Sequence, residues 1–227
     1  MIPIRDEIKT HRTPIINYAL IAINVLVFLW MFLNSHRLEG IFNQYALIPA
    51  NLQDGIDLGD INDFFTSMFM HGSWMHLIGN MLYLWIFGDN IEDRLGHIGY
   101  LIFYLAGGIA AGLLQVAVNP SSQIPMVGAS GAIAAVLGAY LVMYPNSRVY
   151  TFIPIGFFAR LRLVPAIVVL GLWFLLQLFN GIGSIGVPDQ GGTAYFAHIG
   201  GFIFGLLIGY LFKKRGRQPQ PAPPTWN

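Results

Sequence analysis

The run VGASGAIAAVLGAYLVMY, Val127 to Tyr144, decides how the rest of this chain is read. A glycine-flanked serine, Gly128-Ala129-Ser130-Gly131, opens an apolar stretch from Ser130 to Tyr144 whose first turns are mostly small: Gly131, Ala132, Ala134, Ala135, Gly138 and Ala139. The pattern predicts a membrane helix that starts at Ser130. A helix start offers N–H groups with no intrahelical partner and the positive end of the peptide dipoles. An acyl-transfer site needs such donors to hold a developing oxyanion. The same tetrapeptide also suits a tight turn followed by a helix cap, so the meaning of Ser130 depends on what surrounds it.

Composition points to lipid as the solvent. The chain has 227 residues, 55% apolar and only 10% charged, where a soluble domain carries roughly a quarter charged residues. There is no cysteine, which excludes disulfides and thiol chemistry. The 26 glycines fit close helix packing in a bilayer.

Taken in order, residues 1–13 form a short polar arm and Pro14 to Leu33 a 20-residue apolar run, long enough to span. It is too long for a signal-peptide core and lacks a small-x-small cleavage site. Residues 34–73 form a long external loop with Asp54, Asp57, Asp60 and Asp63 and with Phe42, Tyr45, Phe64 and Phe65; short interfacial helices are expected there. Further spans are expected at Trp74–Asp89, His97–Val118, Ser130–Tyr144, Leu163–Asn180 and Ala194–Phe212, with Pro165 in the first turn of the fifth. Pro145–Arg162 reads as a basic connector and Gly181–Thr193 as a mobile glycine-rich loop. The expected fold is therefore all-α: a six-helix membrane domain over 14–212, followed by a disordered basic and proline-rich tail over 213–227. The fourth span is short, which places Ser130 below the membrane surface in a hydrated recess.

With six spans, 11 of the 12 lysines and arginines fall on one side and only Arg37 on the other. That asymmetry predicts cytoplasmic termini and an external acidic loop.

The polar residues at membrane depth then come together. Ser130, His198, His76 and Asn80 all lie near the external starts of spans that run in the same direction. A polar side chain in hydrocarbon needs a partner or a wet cavity. His198 can act as a general base toward Ser130; a buried histidine satisfied by a backbone carbonyl is the plainer alternative. Gly201, Gly205 and Gly209 follow His198 by three, seven and eleven residues on one face. Ser130, Ala134 and Gly138 give span four a smooth face, so a small-residue seam could bring the two polar groups together. His76 and Asn80, four apart, share a face and can donate to an oxyanion. A zinc site built on His71, His76 and Asn80 lacks the His-Glu-x-x-His pattern, and Glu92 falls near the other side. His71 is expected to hold the loop against span two; His11, His36 and His97 read as surface or interfacial residues. No carboxylate lies near His198 on span six, so a protease built on these residues would use a dyad, with the imidazole oriented by packing and water.

Gly128-Ala-Ser130-Gly131, His71-Gly-Ser-Trp-Met-His76-Leu-Ile-Gly-Asn80 and Ala197-His198-Ile-Gly-Gly201 occur in that family's characteristic arrangement: the chain resembles the rhomboid intramembrane serine proteases. The resemblance implies Ser130 as nucleophile, His198 as its base, and an oxyanion hole of His76, Asn80 and the Ser130 amide. It assigns supporting places to Gly128, Gly131, Gly201 and Gly205, and makes Glu92 a tie at the cytoplasmic end. Transmembrane protein substrates with small side chains at the cut are implied, with no cofactor, metal or nucleic acid. The expected location is a bacterial inner membrane. Two departures stand out: Ala134 occupies a position where some members have a tyrosine stacked on the histidine, and Asn62-Asp63 aligns with a usual Trp-Arg pair. A small-solute transporter would need polar residues along a continuous path. A catalytically silent adaptor would lack Ser130 or His198.

Overall fold

The structure is a computed structural model and describes residues 1–55, 57–155, 158–185 and 192–213. Four of its helices are long and apolar enough to cross a membrane: α1 (Ile15–Leu33), α5 (His97–Val118), α7 (Ala166–Ser184) and α8 (Tyr195–Lys213). Between α1 and α5 lie the short helices α2 (Leu38–Tyr45) and α3 (Leu58–Thr66) and the 22-residue α4 (Trp74–Leu95), whose last turns carry Asp89, Glu92, Asp93 and Arg94. The helix α6 (Ser130–Met143) has only 14 residues, a length of about 21 Å against a hydrocarbon core of roughly 30 Å. It is apolar all round and buried along nearly its whole length, as such a helix must be. Helices α4, α5, α7 and α8 pack against this pillar, and α1 packs outside it on α4 and α5.

The pairing of α6 with α8 is made of glycine. A Cβ on Gly201 would overlap the Gly131 carbonyl, and one on Gly205 the Ala135 carbonyl. A Cβ on Gly209 would meet Ala139 at 2.9 Å. The glycine face of α8 is the expected one. Its counterpart on α6 is Gly131, Ala135 and Ala139, one position on from the Ser130–Ala134–Gly138 face read from the sequence. Gly138 serves the same contact from another angle, with no room for a Cβ against the Phe202 carbonyl.

The chain is not all-α. Three antiparallel strands, β1 (Ile2–Asp6), β2 (Arg148–Ile155) and β3 (Phe158–Pro165), form a sheet in the order β1-β2-β3. Ile2 pairs with Phe152 and Asp6 with Val149, while β2 and β3 run in register from Arg148↔Pro165 to Ile155↔Phe158. Val149 and Thr151 point inward and are fully buried, the period-two signature of a half-covered strand. The supposed polar arm and basic connector are thus one sheet. Leu163–Pro165 belong to β3, so Pro165 caps the start of α7 rather than lying in its first turn. Gly181–Ser184 extend α7 rather than opening a loop. Residues 186–191 of the predicted mobile loop, and 214–227 of the predicted tail, lie outside the described residues.

One end of the bundle is tied together by polar contacts. Glu92 is buried and accepts hydrogen bonds from the backbone N–H groups of Ile16 (3.0 Å) and Asn17 (2.7 Å). These donors belong to the first turn of α1, where no intrahelical acceptor exists. His97, half-exposed at the start of α5, also contacts Glu92 through Nδ1. Asp93 accepts from Arg12 N–H at 2.9 Å, and Arg94 donates to the Phe212 and Lys213 carbonyls. Asp6 of β1 accepts from Tyr140 Oη at 2.6 Å and Asn90 Nδ2 at 2.9 Å. The starts of α1 and α7, the ends of α4, α6 and α8, and the sheet therefore share this end.

At the other end the long loop folds back on the helices. An Asp57–Asp60 capping box starts α3. Phe64 and Met68 fill the hollows left by Gly112 and Gly108 of α5, where a Cβ would collide with them. This packing carries the loop to the neighbourhood of Ser130.

Candidate active site

Ser130 is the first residue of α6, and no side chain caps that helix start. Its approach is set by Gly128, whose φ of +126° lies where side-chain-bearing residues are strained. Gly128 N–H donates to the Ser67 carbonyl at 2.9 Å, pinning the turn to the loop. A Cβ at 128 would also meet His76 Nε2 at 2.6 Å. Glycine is needed there twice, once for the turn and once to admit the imidazole.

His198 lies in the first turns of α8, only 9% exposed. Its Nε2 is 2.8 Å from Ser130 Oγ. The two groups come from segments 68 residues apart and meet because the glycine seam lets α6 and α8 approach to backbone contact. Gln115 of α5 helps fix the start of α8 by accepting from Ala197 N–H at 3.1 Å.

His76 and Asn80 lie one turn apart on α4, whose start is capped by Ser73 Oγ accepting from His76 N–H at 3.2 Å. Both side chains reach the Gly128 turn; Asn80 Nδ2 would lie 3.6 Å from a Cβ at 128. Asn80 Nδ2 is 2.9 Å from His71 Nε2, and the His71 and His76 rings meet edge-on with centroids 5.0 Å apart. Burial, and secondarily the nearby His76, push the His71 imidazole down to about 4. A neutral ring can accept one amide hydrogen of Asn80 and leave the second hydrogen free. Through this contact His71, in the loop before α4, meets Asn80 of α4.

A cavity of about 40 Å³ adjoins Ser130, lined by Phe64, Met68, Gly108, Ala111 and Gly128 among others. Among the described residues no three His, Cys, Asp or Glu side chains gather as a metal site. Glu92 lies at the opposite, tied end, while His11 and His36 are exposed.

Two neighbours of His198 escape the sequence reading. Gln177 Oε1 of α7 is 2.8 Å from His198 Nδ1, and the Trp173 ring lies 5.7 Å from the imidazole at 34°. The signal was present: between Leu163 and Phe179, Gln177 is the one polar side chain in an otherwise apolar run, and such a residue in lipid needs a partner.

Residues 59–215 match the Rhomboid domain. The chain belongs to the rhomboid family. It is 30% identical over 213 residues to Rhomboid protein 1, mitochondrial, of Saccharomyces cerevisiae, covering 91% of this chain and 55% of that protein. It is 29% identical over 198 residues to Rhomboid protease GluP of Bacillus subtilis, covering 86% of this chain and 35% of that protein. Rhomboid-like protein 11, chloroplastic, of Arabidopsis thaliana is 27% identical over 221 residues, covering 92% of this chain and 71% of the relative. This rhomboid spans about half the length of the yeast relative and a third of GluP. Its apolar helices and these relatives make it an integral membrane protein.

Proposed function

We propose that this rhomboid is an intramembrane serine endopeptidase that cuts transmembrane segments of other membrane proteins near the non-cytoplasmic face. The observation that carries the reading is the 2.8 Å approach of Ser130 Oγ to His198 Nε2 at the recessed start of a short buried helix. We read six crossings, with α4 and α6 added to the four long apolar helices, and put the tied end in the cytoplasm. The arginines and lysines at that end support this orientation.

In this reading His198 Nε2 takes the Ser130 proton as Oγ attacks the scissile carbonyl carbon. The carbonyl oxygen becomes an oxyanion, held by the Ser130 N–H, His76 and the free Asn80 amide hydrogen. The C–N bond then breaks, and His198 gives its proton to the departing amine. Water, drawn to the polar recess beside Ser130, attacks the acyl-enzyme with its proton passing to His198; the Oγ–C bond then breaks, His198 returns that proton to Ser130 Oγ, and the acid product leaves. His71 acts by orienting Asn80, and Gly128 by making room for His76. The small cavity beside Ser130 fits a small substrate side chain. Residues flanking the cut must leave the helical state to reach Oγ.

Ser130→Ala and His198→Ala should each abolish cleavage of a transmembrane reporter and labelling by a fluorophosphonate, with the fold retained by thermal unfolding in detergent. A wild-type protein that neither cleaves nor labels would instead favour a silent adaptor. Full activity in either variant would refute the dyad.

A further inference from the structure

We infer that Gln177, with Trp173 one turn before it, is the positioning residue that fixes the tautomer and tilt of His198. The inference rests on the proposed Ser130–His198 chemistry and adds the group that makes this histidine a base. A neutral imidazole carries one proton. To accept from Ser130 Oγ, Nε2 must be bare, so the proton must sit on Nδ1. In the apolar interior of the bundle an Nδ1–H needs an acceptor. Gln177 Oε1 is that acceptor, at 2.8 Å. Among the described residues no aspartate or glutamate is hydrogen-bonded to His198, so the neutral amide stands where a serine hydrolase with a full triad places a carboxylate.

The ring's tilt has a matching source. Position 134 carries only a methyl group and cannot stack. Trp173 covers the imidazole instead. Gln177 and Trp173 are four residues apart, hence on one face of α7. Their height against His198 is set by an aromatic clasp on Phe202 of α8: Phe174 stacks on it with centroids 4.3 Å apart at 15°, and Trp173 meets it at 6.1 Å. The hydrogen bond, the ring contact and the clasp all come from α7 and converge on one turn of α8.

The test uses the full-length protein in nanodiscs with three substitutions. Gln177→Leu keeps the bulk but removes the acceptor, Gln177→Met does the same with a flexible chain, and Gln177→Glu keeps the acceptor. Gln177→Leu and Gln177→Met should lower kcat and the rate of fluorophosphonate labelling together, on the order of 10-fold to 100-fold, with KM within about twofold. Gln177→Glu should recover most of the loss. Nitrogen NMR of labelled histidine should show the bare-Nε2 tautomer in the wild type and in Gln177→Glu, and a mixture in Gln177→Leu. Thermal unfolding should separate the variants little. If Gln177→Leu works at the wild-type rate, if Gln177→Glu is as slow as Gln177→Leu, or if only KM moves, the positioning role is overturned while the dyad stands. A wild-type protein inert to substrate and probe alike would remove the dyad and this inference with it.

Discussion

His198 is held from two sides that are built differently. Toward α6 the contact is backbone on backbone: Gly201 and Gly205 leave no room for a methyl group before the Gly131 and Ala135 carbonyls. Toward α7 it is side chain on side chain, through Gln177 and Trp173. The two partner helices differ accordingly. Eleven residues of the 14-residue α6 are buried, but only Ala166, Val169, Leu170 and Gly181 of α7 are. Leu172, Leu175, Leu176 and Phe179 of α7 are turned outward and exposed. A seam of backbone atoms has few alternative arrangements, because close-packed interiors deform in steps and not smoothly. Side chains on an exposed helix have more. The distance between Ser130 and His198 is thus a property of the rigid seam, and the rotation of the imidazole a property of the softer helix.

The largest effect should come from forcing the seam apart. Gly205→Val places three carbons where the Ala135 carbonyl already sits. Overpacking of this kind destabilises by roughly 1–3 kcal/mol or more, and any relief moves α8 away from α6. Cleavage should fall below detection, with a clearly lowered midpoint of thermal unfolding in detergent. Activity near the wild-type level would mean that the Ser130–His198 distance tolerates a wider seam, and the contrast between the two sides would fail.

The difference between the sides also explains what could be read in the sequence. The seam and the Ser130–His198 contact are legible because helical spacing and span direction alone put Gly201, Gly205, Ser130 and His198 in register, and depth brings in His76 and Asn80. A run of small residues on α6 offers several nearly equal smooth faces, so spacing alone does not separate Gly131, Ala135 and Ala139 from Ser130, Ala134 and Gly138. Gln177 is harder to read because it is a neutral amide on another span, while the expected partner of a catalytic histidine is an acid. The sheet is hidden for a related reason. Arg148, Arg160 and Arg162 read first as charge, which masks the alternation of Val149 and Thr151 with Tyr150 and Phe152. Pairing β2 with β1, more than 140 residues away in sequence, leaves no local trace.

An intermediate effect is expected at the far end of α6, where Asp6 ties the sheet to Tyr140 and Asn90. Burial raises the Asp6 carboxyl from 3.8 to about 6, against the opposing pull of its Tyr140 and Asn90 hydrogen bonds. Such a group binds its proton more readily in the folded chain. Its contribution to stability is full below the ordinary value and is lost as pH rises through about 6. Above that the folded chain holds a largely buried carboxylate beside the Tyr140 hydroxyl. Asp6→Asn keeps an acceptor for Tyr140 and removes the charge. It should stabilise the protein at pH 8 by about 1–3 kcal/mol, with the gain fading toward pH 4. A gain that is equal at both pH values would show that the carboxylate is not the source, and would make the anchoring of α6 at this end a matter of shape alone.

The smallest effect should come from the soft side. Gly171 lies in the interior of α7, and a Cβ there meets nothing within 4 Å. Gly171→Ala therefore adds a methyl group with no neighbour to displace, while alanine favours the helix by up to ~1 kcal/mol over glycine. The midpoint of unfolding should stay level or rise slightly. kcat should hold within about twofold, the size of change expected of a site that leaves the reacting groups where they are. The same chemical step, glycine to a larger residue, is thus expected to end activity on α8 and to leave it untouched on α7. A marked loss in Gly171→Ala would mean that α7 is held as tightly as α6, by contacts on its outward face, and that the rotation of His198 is fixed by the whole bundle rather than by Gln177 and Trp173.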